Sequence, residues 1–463
     1  LKEFTVQPRP IILFLPLLWL SACTVGPDYQ RPTVTLPAQF SESGGVWRIA
    51  QPGEFKVPER WWSVFGDTAL DQMEARVVID NQTIKIAEAQ YRAARAAVDS
   101  AAAARLPTVT GSAAAGRGSN NGVTADSYAL AASANWEIDL WGRVRRSIET
   151  AQARAESSAD DLAAARLSIQ ALLAQTWFQL RAADLQGKLL QRTLEVDARF
   201  LELTRNRHEG GVASGLDVAQ AEAQLGNART QLTENELQRA QLAHALVTLL
   251  GGGEIATATG QLPAVPVPPA LFPSVVLEQR PDIAAAERLA AAANAQIGVA
   301  RAAYFPVLDL AAGVGASSTA LDTLFNAPSR IWLLGPSLAM TLFDGGVRDA
   351  AVEQARAGYD QAVAAYRQTV LTAFQEIQDN LAAARLLQRK AEEQVQSLAA
   401  AQRAREIAEV QYKAGTINSL NVIILQTAEL TADLNLVDIR TRQLAASVQL
   451  LKNAGGKIDT LHE

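Results

Sequence analysis

Cysteine is almost missing from this chain. The single thiol, Cys23, leaves no intramolecular disulfide and no cysteine-built zinc site. Histidine is nearly as scarce. His208, His244 and His462 are far apart and lack metal-ligand spacing. His244 shares a helical stripe with Leu237, Ala240 and Val247, so it reads as packed or lumen-lining rather than catalytic. No Lys/Arg run stands out and the net charge is −6, which argues against a nucleic-acid surface. No segment reaches about 18 apolar residues in a row, so none reads as a membrane-spanning helix. A crossing would have to be made of strands. Aromatics are 6% of a chain that is 49% apolar; Ala and Leu make up the excess, the composition of closely packed helices. Gly251-Gly252-Gly253 lacks the Lys-Ser/Thr of a phosphate loop and suits a helix stop better. Asp160-Asp161 reads as a solvated helix face. No catalytic residue, metal site or cofactor is expected.

Proline is absent from 143–209 and from 347–413, where Gly187 and Gly358 are the only glycines. A helix filling either stretch would be about 100 Å long. The two stretches belong to a duplication, offset by about 204 residues. Gly211-Val212-Ala213-Ser214-Gly215-Leu216-Asp217-Val218 returns as Gly415-Thr416-Ile417-Asn418-Ser419-Leu420-Asn421-Val422. Arg105-Leu106-Pro107 answers to Tyr304-Phe305-Pro306, and Trp141-Gly142-Arg143-Val144-Arg145 to Asp344-Gly345-Gly346-Val347-Arg348. The period is far too long for a solenoid. Repeat 1 covers 68–252: a helix at 68–105, strands at 106–116 and 128–140, and a helical hairpin over 143–250. Repeat 2 covers 276–456: a helix at 282–303, strands at 305–316 and 331–343, and a hairpin over 347–454. A Pro-rich connector, 253–275, joins them, and 457–463 is a tail. In the last helix Leu430, Leu434, Val437, Thr441, Leu444, Val448 and Leu451 keep heptad spacing.

At the N-terminus, Lys2 and Arg9 precede the short apolar run Ile11–Leu20, the length of a secretory signal core. Leu20-Ser21-Ala22-Cys23 resembles the bacterial lipoprotein signal box. Residues 1–22 are thus expected to be a signal peptide, and 23–67 an extended segment lipidated at Cys23. Thr24 in place of Asp favours the outer membrane, where lipid chains anchor but do not span.

The strand segments alternate. Tyr128, Leu130, Trp136, Ile138 and Leu140 fall on one face of 128–140, with Ser133, Asn135, Glu137 and Asp139 on the other. Trp332, Leu334, Leu338 and Leu342 share a face of 331–343, and Leu308, Leu310 and Val314 a face of 305–316. Alternation over about ten residues fits an outer-membrane barrel strand, and equally a half-buried soluble sheet. Four strands cannot close a barrel, and open edges in hydrocarbon cost several kcal/mol per unpaired backbone group. Several copies must therefore pool their strands; three would give twelve. The polar links Arg117–Ser127 and Ser317–Arg330 are expected to face outside the cell.

Gly210-Gly211 and Gly415 supply the permissive backbone of helix hairpins, with Ser214 or Asp217, and Ser419 or Asn421, as caps. Turn chemistry and partner docking both remain open for these tips.

These residues resemble the TolC-like outer-membrane efflux family, in the lipoprotein branch related to OprM and NodT. The likeness rests on Cys23-Thr24-Val25-Gly26-Pro27-Asp28-Tyr29, on Trp61-Trp62, Phe65, Asp67 and Leu70, and on Leu277-Glu278-Gln279-Arg280-Pro281-Asp282-Ile283. It continues in Glu287, in Ala293-Asn294-Ala295-Gln296-Ile297-Gly298, and at the strand exits Trp136–Arg143 and Leu342–Gly346. The resemblance implies an α+β membrane protein: a homotrimer whose twelve-stranded outer-membrane barrel is continuous with a periplasmic α-helical coiled-coil barrel. It implies a passive, non-enzymatic channel for small molecules such as drugs and toxic compounds. Its partners would be a periplasmic adaptor (membrane fusion protein) and an inner-membrane pump. It places Gly211, Ser214, Leu216, Asp217, Gly415, Ser419 and Leu420 at the adaptor-docking tip. Thr416-Ile417-Asn418 departs from the acidic gates common in the family, so Ile417 and Asn418 are expected to narrow the pore by bulk and hydrogen bonding. A protein-secretion channel of type I on the same scaffold, and a non-transporting coiled-coil lipoprotein, are the alternative readings.

Overall fold

The computed structural model describes residues 24–34, 60–255, 261–266 and 280–454. The signal peptide, Cys23, most of the 23–67 segment, parts of the connector, His462 and the tail lie outside the described residues. Among the described residues no helix is long and apolar enough to cross a membrane. The chain divides into two compact units.

One unit takes Gln90–Ala159 and Ala285–Arg367 with residues 24–33. At its heart is an antiparallel meander of β1 (Thr108–Asn120), β2 (Val123–Ile138), β3 (Val307–Ser318) and β4 (Arg330–Ala339), in the order β1-β2-β3-β4. The register sorts most of these side chains by polarity, with Ile331 and Leu333 of β4 falling on the otherwise polar face. Trp136 lies opposite Leu310, Ile138 opposite Leu308, Leu308 opposite Leu338, and Val314 opposite Trp332. The other face carries Glu137 opposite Asp309 and Asp309 opposite Ser337, while Ser133 lies opposite Thr110 with hydroxyls 2.8 Å apart. Trp332 and Leu338 are 82% and 66% exposed in the single chain, so among the described residues none covers these apolar side chains of β4.

The link expected at 117–127 is only two residues long. Asn121 and Gly122 both have positive φ, 51° and 80°, and close a tight hairpin that suits right-twisted strands. Arg117 and Asp126 consequently face each other across the ladder, 3.7 Å apart. The second link does form, over 319–329, tied by a 2.6 Å contact between the Ser318 and Thr323 hydroxyls. β4 stops at Ala339, short of the expected 343.

Residues 24–30 cross this unit as an arm. The Val25 N–H donates to the Trp141 carbonyl (3.1 Å), and Arg146 bonds Asp28 (2.9 Å) and Glu149 (2.8 Å). Helix α5 (Pro281–Ala302) receives the rest. Asn294 donates to the Pro27 carbonyl (3.0 Å) and Tyr29 donates to Glu287 (2.6 Å). Burial and the Glu287 bond push the Tyr29 phenol well above its usual range. Gly26 has φ +113°, and a Cβ there would sit 2.6 Å from Gly298 Cα. Gly26→Ala should lift the arm and speed hydrogen exchange of the Val25 amide, which donates to the Trp141 carbonyl, by about fivefold or more, since a strained backbone costs roughly 1–3 kcal/mol. Unchanged deuterium uptake on a mass-spectrometric time course would refute the arm's attachment.

The second unit takes Asp160–Ala284 with 60–89 and 368–454. The helix expected at 68–105 is two, α1 (Thr68–Asp80) and α2 (Gln82–Ala103). Asn81 divides them. Its Oδ1 accepts from Thr83 N and Ile84 N (2.9 and 3.1 Å), capping α2, while its Nδ2 donates to the Leu249 carbonyl (2.7 Å). Trp61, Trp62, Phe65, Leu70, Trp177, Phe178, Leu246 and Leu444 share the main core. Asp67 caps α1 through Ala69 N and Leu70 N (3.0 and 3.1 Å) and also takes bonds from Trp177 (2.9 Å) and Arg181. Arg280 bridges Glu376 (2.9 Å), Asn453 (3.0 Å) and Asp282 (2.8 Å). These motif residues thus hold helices together. His244, expected packed or lumen-lining, is exposed within the single chain.

Candidate functional site: the paired hairpin tips

α3 (Arg143–Glu209) and α4 (Gly215–Leu249) are 67 and 35 residues long; α6 (Val347–Lys413) and α7 (Ser419–Asn453) repeat those lengths. Each pair meets at a glycine turn. Gly211 has φ 74° and Gly415 φ 76°, the left-handed conformation that ends a helix. The Val212 N–H then returns to the Arg207 carbonyl (2.8 Å), and the Thr416 N–H to the Gln411 carbonyl (3.0 Å).

The returning helices are capped differently. Ser214 and Asp217 form a reciprocal capping box: Asp217 N–H donates to Ser214 Oγ (3.2 Å) and Ser214 N–H to Asp217 Oδ2 (2.8 Å). In the second copy Asn418 Oδ1 accepts from Asn421 N (3.2 Å) and from its Nδ2 (2.8 Å). The asymmetry frees Ser419. Buried at 1% exposure, it donates its hydroxyl to Asp217 Oδ1, 202 residues away, and ties one hairpin to the other. That bond first, then those from Ser214, hold the Asp217 carboxyl below its usual range.

A second tie was not legible in the sequence. Arg207 donates to the Tyr412 carbonyl (2.8 Å) and lies 4.6 Å above the Tyr412 ring. Tyr412 in turn packs against Phe200, 5.3 Å between ring centres. Tyr412 occupies the repeat position of His208, so the signal lay in where the copies diverge.

Ile417 is half-buried against the cluster of Phe200, Leu201, Tyr412 and Val422. Val212, Leu216 and Leu420 are instead exposed at 69%, 67% and 43%, an unusual concentration of bare apolar side chains at turns. Among the described residues, no group of three or more His, Cys, Asp or Glu is arranged to hold a metal ion.

The family model for outer membrane efflux proteins matches residues 76–252 and 272–456, both repeats nearly entire. The chain belongs to the outer membrane efflux protein family. It is 32% identical to the probable efflux pump outer membrane protein TtgC of Pseudomonas putida, covering 94% of this chain and 93% of that one. Among solved structures it is similar to the outer-membrane channel OprN, at 30% identity and TM-score 0.84, covering 94% of this chain and 99% of that one. It is also similar to the open state of the Neisseria gonorrhoeae MtrE outer membrane channel, at 27% identity and TM-score 0.81, covering 94% and 98%. Family membership agrees with the resemblance carried by the sequence motifs, and the fold is that of these channels.

Proposed function

We propose that this chain is the outer-membrane channel of a tripartite efflux system, passing small molecules outward from an inner-membrane pump and a periplasmic adaptor. One observation carries the reading: a four-stranded sheet with one apolar face and two unpaired edges, β1 and β4. Such a sheet is stable in lipid only when its edges are paired, and further copies of the same sheet are the natural partners. Three copies close a twelve-stranded barrel with Trp136, Leu310 and Leu338 toward lipid and Ser133, Glu137, Asp309 and Ser337 toward a water-filled lumen. A polar pore of that kind conducts passively, and the energy comes from the pump. Lipid on Cys23 adds an anchor in the outer membrane.

The hairpin tips are the periplasmic end of the channel in this reading. Val212, Leu216 and Leu420 offer apolar contacts to the adaptor, around Gly211, Ser214, Asp217, Gly415 and Ser419, which shape the turns. Ile417 and Asn418 narrow the pore. Purified protein in planar bilayers is expected to conduct, and Ile417→Gly with Asn418→Gly is expected to raise single-channel conductance. A deletion strain is expected to accumulate efflux substrates, restored by the wild-type gene. Absence of both conductance and an accumulation phenotype would overturn the assignment.

A further inference from the structure

The four strands contain only two cationic side chains, Arg117 and Arg330. The register puts both on the apolar face. Arg117 lies opposite Asp126, in the alternating row of β2 that continues through Tyr128 and Leu130 to Trp136. Arg330 lies opposite Ala316 and two positions from Trp332 on β4. Both stand at the ends of the strands away from the helices. The helix end of the same face carries Ile138, Leu308 and Leu338 and no charge.

Neither cation is satisfied within the chain. The Arg330 side chain is exposed and has no hydrogen bond or ion pair among the described residues. Arg117 reaches Asp126 only at 3.7 Å, with its own side chain 74% exposed, and such a contact contributes little.

The two arginines sit on the two edge strands, so closing the barrel brings them to one seam. β1 of each copy pairs there with β4 of the next, and the depths match. Arg117 is nine residues beyond Thr108, where β1 leaves the helices; Arg330 is nine residues before Ala339, where β4 returns to them. Nine strand residues span about 30 Å, or roughly 23 Å of height at a tilt near 40°. That is the outer limit of an apolar band about 25 Å tall. The register within the chain supports equal depth for the two helix ends. The row of Thr108 runs through Asn135 and Ala311 to Gly335, four residues from Ala339. Three strand spacings of about 4.8 Å produce that offset at the same tilt. Just inside the arginines, Trp332 and Tyr128 (opposite Ala115) fit the aromatic girdle of such a barrel.

We propose that Arg117 of one copy and Arg330 of the partner subunit form, at each seam of the trimer, a binding site for the phosphate groups of the glycolipid in the outer leaflet. This rests on the outer-membrane channel reading above. The cations occupy one end of the lipid-facing surface only, so they address one leaflet. The guanidinium presents a planar fork of donors that matches phosphate oxygens, and it carries its charge at every working pH. The acyl chains then lie along Trp332 and Leu334, and one lipid joins two copies.

The test is titration of lipid A into the purified full-length trimer in mild detergent, read by native mass spectrometry, with phosphatidylglycerol as the second lipid. Saturable binding of one lipid A per seam is expected, at least tenfold tighter than phosphatidylglycerol. Arg330→Gln and Arg117→Gln should each weaken lipid A binding about tenfold, the loss of one charge-assisted contact. Arg330→Lys keeps the charge without the fork and should fall between. Should the Gln variants assemble poorly, Arg330→Lys and a fall in wild-type affinity with rising ionic strength keep the test decisive. Equal lipid A affinity in wild type and Arg330→Gln, or equal affinity for the two lipids, would overturn the proposal. Conductance in planar bilayers, measured on the same preparations, separates the two readings. A conducting trimer with no arginine-dependent lipid A binding sinks this site alone, whereas a chain that neither trimerises nor conducts sinks the channel reading with it.

Discussion

Leu338→Arg should abolish trimer assembly in the outer membrane, whereas Ser337→Arg should be tolerated. The two positions are adjacent on β4 and point to opposite faces. Leu338 lies opposite Leu308, which lies opposite Ile138, in an apolar row across three strands. An Arg on the lipid face of a barrel costs about 2–4 kcal/mol at the bilayer midplane, and a trimer incurs that cost in every copy. Ser337 lies opposite Asp309 on the polar face, where a guanidinium finds both water and a counter-charge. Trimer yield, read as a heat-sensitive band in mild detergent, distinguishes the two variants. Equal assembly of both would mean that the apolar face does not meet lipid.

Asp217→Ala should open the channel. The Asp217 carboxylate sits at the junction of two interactions: the capping box with Ser214, and the bond from Ser419 that joins the hairpins. Removing it frees both. Asp217 is only half-buried, so solvent screening brings each bond down to the net value of an ordinary hydrogen bond. About 1 kcal/mol corresponds to a roughly fivefold rise in open probability per tie broken. Ser419→Ala removes the inter-hairpin bond but leaves the capping box, so it should reproduce the rise in conductance without loosening the start of α4. If Asp217→Ala conducts like wild type in planar bilayers, the tie does not restrain opening. The pH dependence follows from the direction of the shift. A carboxyl held below its ordinary range contributes a tie that is fully present above about pH 4 and is lost as pH falls through the lowered value. Conductance should therefore be flat between pH 7 and 5 and rise only in stronger acid, a rise that Asp217→Ala lacks.

The Glu376, Asn453 and Asp282 bonds of Arg280, and the seat that Asn294 and Gly298 make for the N-terminal arm, give the family motifs a structural meaning. Arg280, Asn294 and Gly298 each close a contact between segments distant in the chain. That also explains why the sequence leaves cargo unnamed: the face carrying Ser133, Glu137, Asp309 and Ser337 bears ordinary side chains at alternate strand positions.

What the chain alone determined were the local and periodic quantities. Helix length followed from where proline and glycine are missing, and the strands from alternation of period two, because both depend on residues only a few positions apart. The heptad of α7 also held, with Val437, Leu444, Val448 and Leu451 all buried. Errors arose where local chemistry was ambiguous. The Arg117–Ser119 stretch is polar and turn-like enough to read as loop, yet β2 supplies its hydrogen bonds and it continues β1 up to the Asn121-Gly122 turn. Asn81 looked like one polar residue in a helix, and only the Leu249 carbonyl beside it fixed the break. Tertiary structure alone decided the Ser419–Asp217 tie and the Arg207–Tyr412 contact. These join residues that the chain separates by hundreds of positions, and no pattern within a helix specifies which distant side chain will meet it once the hairpins pack.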